Sequence, residues 1–155
     1  MWQKTVVIIF LFIIFALLQN SFFAHFSIFG ATPNLVFILF FLLVFFAKKE
    51  TNYQIIYLSV IAGILLDIFS YAYLGPSIVS LLIGGFLLKK AQSMLKSGRD
   101  SYPFTYYLPL FLIFFAIYEI CFLGFNLGII AEIIYNMVFA SAFFYVYKRW
   151  IKYTA

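Results

Sequence analysis

Apolar residues along this chain come in long unbroken blocks, and polar residues gather in the short stretches between them. The blocks run from Val6 to Phe23, Asn34 to Ala47, Tyr53 to Ser70, Leu74 to Leu88, Phe104 to Phe122 and Leu127 to Tyr147. A bilayer is crossed by about 20 apolar residues in a helix, with about 17 as the usual minimum. The pattern therefore predicts an all-α integral membrane helix bundle of about six transmembrane helices, in which the second and fourth are short. Short spans tilt little, lie where the bilayer is thinned, or begin inside a re-entrant turn.

The punctuation fits this division. Thr32-Pro33, Gly75-Pro76 and Tyr102-Pro103 each place a proline where a helix starts, and Pro109 predicts a kink early in the fifth span. No linker, low-complexity segment or internal repeat divides the chain, so residues 1–155 are expected to form a single multi-span membrane domain. The first block follows Lys4 as a signal peptide would. It runs on to Phe22 and Phe23 without a small-x-small cleavage pattern, so it is expected to stay as an anchor.

Composition agrees. Hydrophobic residues make up 66% of the 155 and charged residues 10%, against roughly 45–50% and about 25% in soluble domains. With a mean hydropathy of +1.10, a soluble fold of this size could not hide its Phe, Leu and Ile. The lone Cys121 has no disulfide or metal companion and reads as a small apolar filler. Small-xxx-small pairs at Ser59/Gly63, Ser80/Gly84 and Gly124/Gly128 let helix backbones approach in lipid. The many Phe side chains are expected to face lipid, with Trp2, Tyr53, Tyr147 and Trp150 in the interfacial belt.

Charge then gives an orientation. Lys4, Lys48, Lys49, Lys89, Lys90, Lys96, Arg99, Lys148, Arg149 and Lys152 are all ten basic residues, and six spans put every one on the same side. Loops rich in Lys and Arg stay inside, so both termini are expected in the cytoplasm. The longest inner loop, Lys89 to Ser101, is the best place for anionic lipid contacts. The basic residues form no single stripe with aromatics between them, so no nucleic-acid partner is expected despite a pI near 9.3.

Polar groups inside the spans share one depth. Asp67 lies about 20 Å along the third span, in the outer half of the membrane. Gln19 and Asn20 at the end of the first span, Asn34, Glu119, and Glu132 just beyond Asn126 reach the same outer third. No Lys or Arg lies within any span, so unless His25 folds down the carboxyls are held protonated, bonded inside the bundle, or met by a polar partner. Three roles stay open: internal glue between helices, a pocket facing a partner or ligand, and a proton relay. No GxSxG, phosphate loop, HExxH, Cys/His cluster or Ser/His/Asp set is present, so neither catalysis nor a metal or cofactor is expected.

The stretches LLQNSFF, ATPNLVFILFFLLVFFA and IAGILLDIFSYAYLGPSIVSLLIGGFLL together resemble the bacterial rod shape-determining protein MreD family. The matching positions are Pro33, Asn34 and Leu35, then Gly63 and Asp67, then Leu74 and Gly75, covering about residues 10 to 90 by motif. The second half carries no matching motif, and Asn34 stands where an acidic residue is frequent. The resemblance implies a non-enzymatic scaffold of the cytoplasmic (inner) membrane. It would bind an MreC-like bitopic protein and help couple MreB filaments to RodA and its transpeptidase partner. Asn20, Asn34, Gly63, Asp67, Gly75, Glu119 and Glu132 are the residues expected to form its partner-binding or structural polar cluster. A different class, the substrate-binding membrane subunit of a vitamin uptake transporter, would use Asp67, Asn34 and Glu119 as ligands. Against it, the run Val6–Leu18 has Ala16 as its only small residue.

Overall fold

A computed structural model describes residues 2–27, 30–47, 52–69, 73–95, 104–123 and 128–154. All regular structure among them is helical: α1 (Trp2–His25), α2 (Leu35–Phe46), α3 (Asn52–Phe69), α4 (Pro76–Leu95), α5 (Phe104–Leu123) and α6 (Gly128–Thr154). Three stretches, Thr5–His25, Asn52–Phe69 and Ile129–Arg149, are long and apolar enough to cross a membrane. The outside of the bundle is as apolar as a lipid chain: Phe10, Val79, Ile117 and Val146 all stand exposed. In water such a surface would be an aggregation site, and in lipid it costs nothing. Lys48, Lys49, Lys96, Arg99, Pro103, Gly124 and Asn126, which carry expectations drawn from the sequence, lie outside the described residues, as do the side chains of Trp2, Lys4, Cys121, Trp150 and Lys152.

The second helix sets the architecture. At twelve residues α2 is only about 18 Å long. Ten of its side chains are buried, so it touches neighbours all round and stands in the middle of the bundle. Its phenylalanines at spacing four, Phe37, Phe41 and Phe45, meet Tyr118, Phe115, Phe111 and Tyr107 of α5 in descending order, which makes the two helices antiparallel. The ring centroids lie 5.1 to 5.3 Å apart in these pairs, the range where aromatic edges and faces attract. Phe12, Phe40 and Phe144 are buried as well. Much of the Phe content thus fills the interior, contrary to the expectation that it faces lipid, because a buried central helix needs large side chains to reach its neighbours.

α3 and α4 pack backbone to backbone. A Cβ placed on Gly63 would lie 2.6 Å from the Ile78 Cα and 2.7 Å from its nitrogen, so only glycine permits the approach. The turn between them ends at Gly75, whose φ of +123° excludes other L-residues. Gly75 then caps α4 and Pro76 takes its first position, as the sequence predicts. At the other proline start the cap is Asn34 and not Thr32, so Pro33 precedes the helix. α4 also runs past Leu88 to Leu95, and its side chains Lys89 and Gln92 are buried, so residues 89–95 are helix and not loop as expected, while the rest of that stretch, to Ser101, lies outside the described residues. Pro109 lies in the second turn of α5, which stays helical through it.

The two glycines expected to serve close packing therefore separate in a test. Gly63→Ala forces the α3 and α4 backbones apart, a strain of about 1–3 kcal/mol, and lowers the unfolding midpoint of the detergent-purified protein by several degrees. Gly84→Ala meets only Phe114 Cδ1 at 3.6 Å and leaves the midpoint unchanged or slightly raised. Equal midpoints for the two variants would refute the close approach at Gly63.

Candidate functional site

Antiparallel packing brings six helix termini to one end of the bundle: the C-terminal ends of α1, α3 and α5 and the N-terminal ends of α2, α4 and α6. A helix start exposes up to four backbone N–H groups with no partner of their own. In a low-dielectric interior each must be satisfied by protein. The polar side chains of this end do that.

Asp67, 1% exposed near the end of α3, reaches across to α4. Its Oδ2 accepts from the Gly75 N–H at 2.6 Å and its Oδ1 from the Ser77 N–H at 3.1 Å. A carboxylate on two N–H groups at a helix start is favoured both by charge-assisted bonds and by the positive end of the helix dipole. That resolves why an apolar span carries an acid with no basic neighbour. The Ser77 hydroxyl continues the connection to the Tyr118 hydroxyl of α5 at 3.3 Å.

α2 is closed at both ends. Asn34 Oδ1 accepts from the Phe37 N–H at 3.0 Å, and the Asn34 N–H donates to Asn136 Oδ1 of α6 at 2.6 Å. Asn136, fully buried, is held by its own Nδ2 donating to the Glu132 carbonyl at 2.8 Å. Gln19 Oε1 lies at 3.5 Å from the Val36 nitrogen, the outer limit of such a bond. At the opposite end, Gln92 Nε2 donates to the Phe45 carbonyl at 2.9 Å.

Between these caps lies a cavity of about 300 Å³. Its polar wall carries Gln19, Asn20, Asn34, Ser77, Glu119 and Glu132, and Tyr118 and Thr32 complete it. Leu65, Leu66 and Phe69 of α3 with Ala16 and Val36 supply apolar wall. The Glu119 and Glu132 carboxyl groups are hydrogen-bonded to each other across α5 and α6. Asn20 lines the cavity but spends its Nδ2 on the Ala16 carbonyl of its own helix.

Of the residues singled out in the sequence, Asn20, Asn34, Glu119 and Glu132 share the cavity wall. Asp67, Gly63 and Gly75 form the adjacent α3–α4 hairpin, with Ser77 as the link between hairpin and cavity. His25 bonds the Ser21 carbonyl on its own helix at 2.7 Å and does not fold down toward the carboxyls. Asn136, Ser77, Tyr118 and Gln92 were not singled out. The Glu132/Asn136 pair, four apart in an otherwise apolar stretch, is the sequence signal that could have found the first of them. Among the described residues no group of three or more His, Cys, Asp and Glu is placed to hold a metal ion. No protein-family model, curated protein or solved structure matches the chain.

Removing a cap leaves its N–H groups buried and unpaired. Asp67→Ala and Asn136→Ala should each cost about 1–3 kcal/mol and lower the unfolding midpoint in detergent, with Asp67→Asn intermediate because it keeps one acceptor. Asn20→Ala, which breaks only a bond within its own helix, should change little. Wild-type midpoints for both cap variants would refute the capping roles.

Proposed function

We propose that the chain is a non-enzymatic scaffold of the bacterial cytoplasmic membrane. It crosses the bilayer about six times with both termini inside, and acts in the rod-shape machinery as an MreD-like component. It binds an MreC-like bitopic protein, and with it links MreB filaments to RodA and the transpeptidase partner of RodA. One observation carries this reading: the motif residues of the resemblance form one structural unit. Gly63, Asp67 and Gly75 make a single locked hairpin, and Asn34 faces the cavity that Ser77 of that hairpin also lines. The exposed apolar flanks of α1, α4 and α6 give a partner's membrane span a surface to pack on. The capped polar end fits the outer leaflet, and Lys90 and Lys148 at the other end of their helices fit the cytoplasmic side.

The cavity favours a second reading, the substrate-binding membrane subunit of a vitamin uptake transporter. Weighing against it, the outward face of the run Val6–Leu18 is built of Val6, Val7, Phe10 and Leu17, with Ala16 turned inward, and that run offers no small-residue surface to a coupling protein. Genes for MreB- and MreC-like proteins beside this one favour the first reading, and transporter ATPase genes the second.

In cells that depend on it, depletion of the chain should convert rods to rounded cells, and purification in native lipids should bring down an MreC-like single-span protein. Reporters fused to either terminus should report the cytoplasm. Asp67→Leu should reduce partner recovery relative to the amount of folded protein. Unchanged cell shape together with no such partner would overturn the reading, and a terminus outside the cell would overturn its topology.

A further inference from the structure

Between α4 and α5 the bundle carries a second, larger cavity, of about 580 Å³. Its floor is the buried Phe40, Phe41 and Leu81. Val79, Ile83 and Leu87 of α4 and Ile117 of α5 line it and stand exposed, so it opens sideways as a groove. Among the described residues only Ser80 and Tyr118 line it with polar side chains. One lining residue keeps the groove open without any need of the fold. A Cβ on Gly84 would meet nothing nearer than Phe114 Cδ1 at 3.6 Å, whereas one on Gly63 or Gly85 would strike the neighbouring helix at 2.6 Å. Glycine is a poor residue for a helix interior, so the packing of this chain does not explain Gly84.

We infer that this groove binds one phospholipid from the leaflet on the Lys90 side, with an acyl chain lying along α4 and an anionic headgroup meeting the Lys90 ammonium. Cross-section decides between occupants. From Pro76 to Leu88 the lining covers about 18 Å of helix, which gives a volume of about 580 Å³ a mean section of about 30 Å². A partner's helix with its side chains is about 10 Å across, or about 80 Å² in section, and cannot enter. An extended hydrocarbon chain can. Length agrees with this occupant, since a leaflet contributes half of a hydrocarbon core of about 30 Å. Charge sets the direction. Ile83, Leu87, Lys90 and Met94 are exposed at spacings of four, three and four, so Lys90 continues the α4 wall just past the end of the groove. On α5, the exposed Tyr106 lies about three turns before Ile117 on the same face and suits the headgroup level. At the opposite end the lining stops at Pro76 and Tyr118, in the layer that holds the Asp67 and Glu119 carboxyls, where a phosphate gains nothing. The inference rests on the chain spanning a bilayer as proposed and not on which partner it binds.

The test uses the full chain in phosphatidylcholine nanodiscs with a minor fraction of phosphatidylglycerol that carries a diazirine midway along one chain. After photolysis, mass spectrometry should find adducts on Ile83, Leu87 or Ile117 several-fold above those on Ile134, which is equally exposed on α6. Unlabelled phosphatidylglycerol should reduce them saturably, and glycerol phosphate in the buffer should not. Gly84→Leu fills the groove from a position with room for a side chain and should cut the groove adducts several-fold, with Ser80→Leu serving if that variant fails to fold. Lys90→Ala should lower the preference for phosphatidylglycerol over phosphatidylcholine about fivefold, the effect of one basic residue near an anionic headgroup. Adducts equal to those on Ile134, undiminished labelling in a folded Gly84→Leu, unchanged lipid preference in Lys90→Ala, displacement by glycerol phosphate, or a partner's span cross-linked at Ile83 would each overturn the inference. Failure to recover an MreC-like partner with the groove labelling intact would sink the scaffold reading and leave this one standing.

Discussion

A backbone N–H or C=O group buried in an apolar interior must find a hydrogen-bond partner there, and a short helix has such groups at both ends. α2 is the place where this constraint bears hardest. It is about 18 Å long in a bundle whose other helices run eighteen residues or more, so its ends fall within the protein instead of at an interface. Neither end is left to solvent. Asn34 and Asn136 close the start, and Gln92 reaches from α4 to the Phe45 carbonyl at the finish. Two of the polar side chains in otherwise apolar helices, Asn136 and Gln92, are explained by the length of a third helix.

The same constraint explains why polar groups collect in one layer. Helices alternate in direction, so the starts of α2, α4 and α6 come to one end together. Each start demands acceptors, and Asp67 and Asn34 are acceptors supplied at that depth. The cavity of about 300 Å³ lies among these caps, beside the α3–α4 hairpin that the Gly63 contact closes.

Much of this was legible in the residues. The six apolar blocks match the six helices to within a few residues except at the ends of the fourth and the sixth, each of which runs seven residues further into polar sequence, because a long apolar run marks a helix but not where it stops. The shared depth of Gln19, Asn20, Asn34, Glu119 and Glu132 was legible from direction and rise alone, and these residues do meet around one cavity. Asp67 was legible as buried but not as a cap, since the N–H groups that it accepts come from a turn whose geometry depends on Gly75 at positive φ. The central place of α2 was not legible. Its block was apolar on every side, and periodicity cannot separate a helix surrounded by protein from one surrounded by lipid. The Phe side chains were misread for that reason. Lys89 and Gln92 read as loop because the apolar run stops at Leu88, although both side chains are buried on α4 and Gln92 closes the Phe45 carbonyl of α2.

The distinction between polar groups that close helices and those that do not is what separates fold from function here. Each cap could be exchanged only for another group that satisfies the same backbone N–H, so its identity follows from the fold. Glu119 faces no such demand at Oε2, and a leucine or phenylalanine would fill its place in an apolar bundle at lower cost. A carboxyl placed there is opposite a second carboxyl, in a cavity lined by no base. The two carboxyls are hydrogen-bonded to each other and so tie α5 to α6 in place of a closed helix start. A carboxyl pair buried between α5 and α6 with no base lining the same cavity is thus a polar feature of this end that closing a helix start does not explain, and its cost is met by the contact between the two helices.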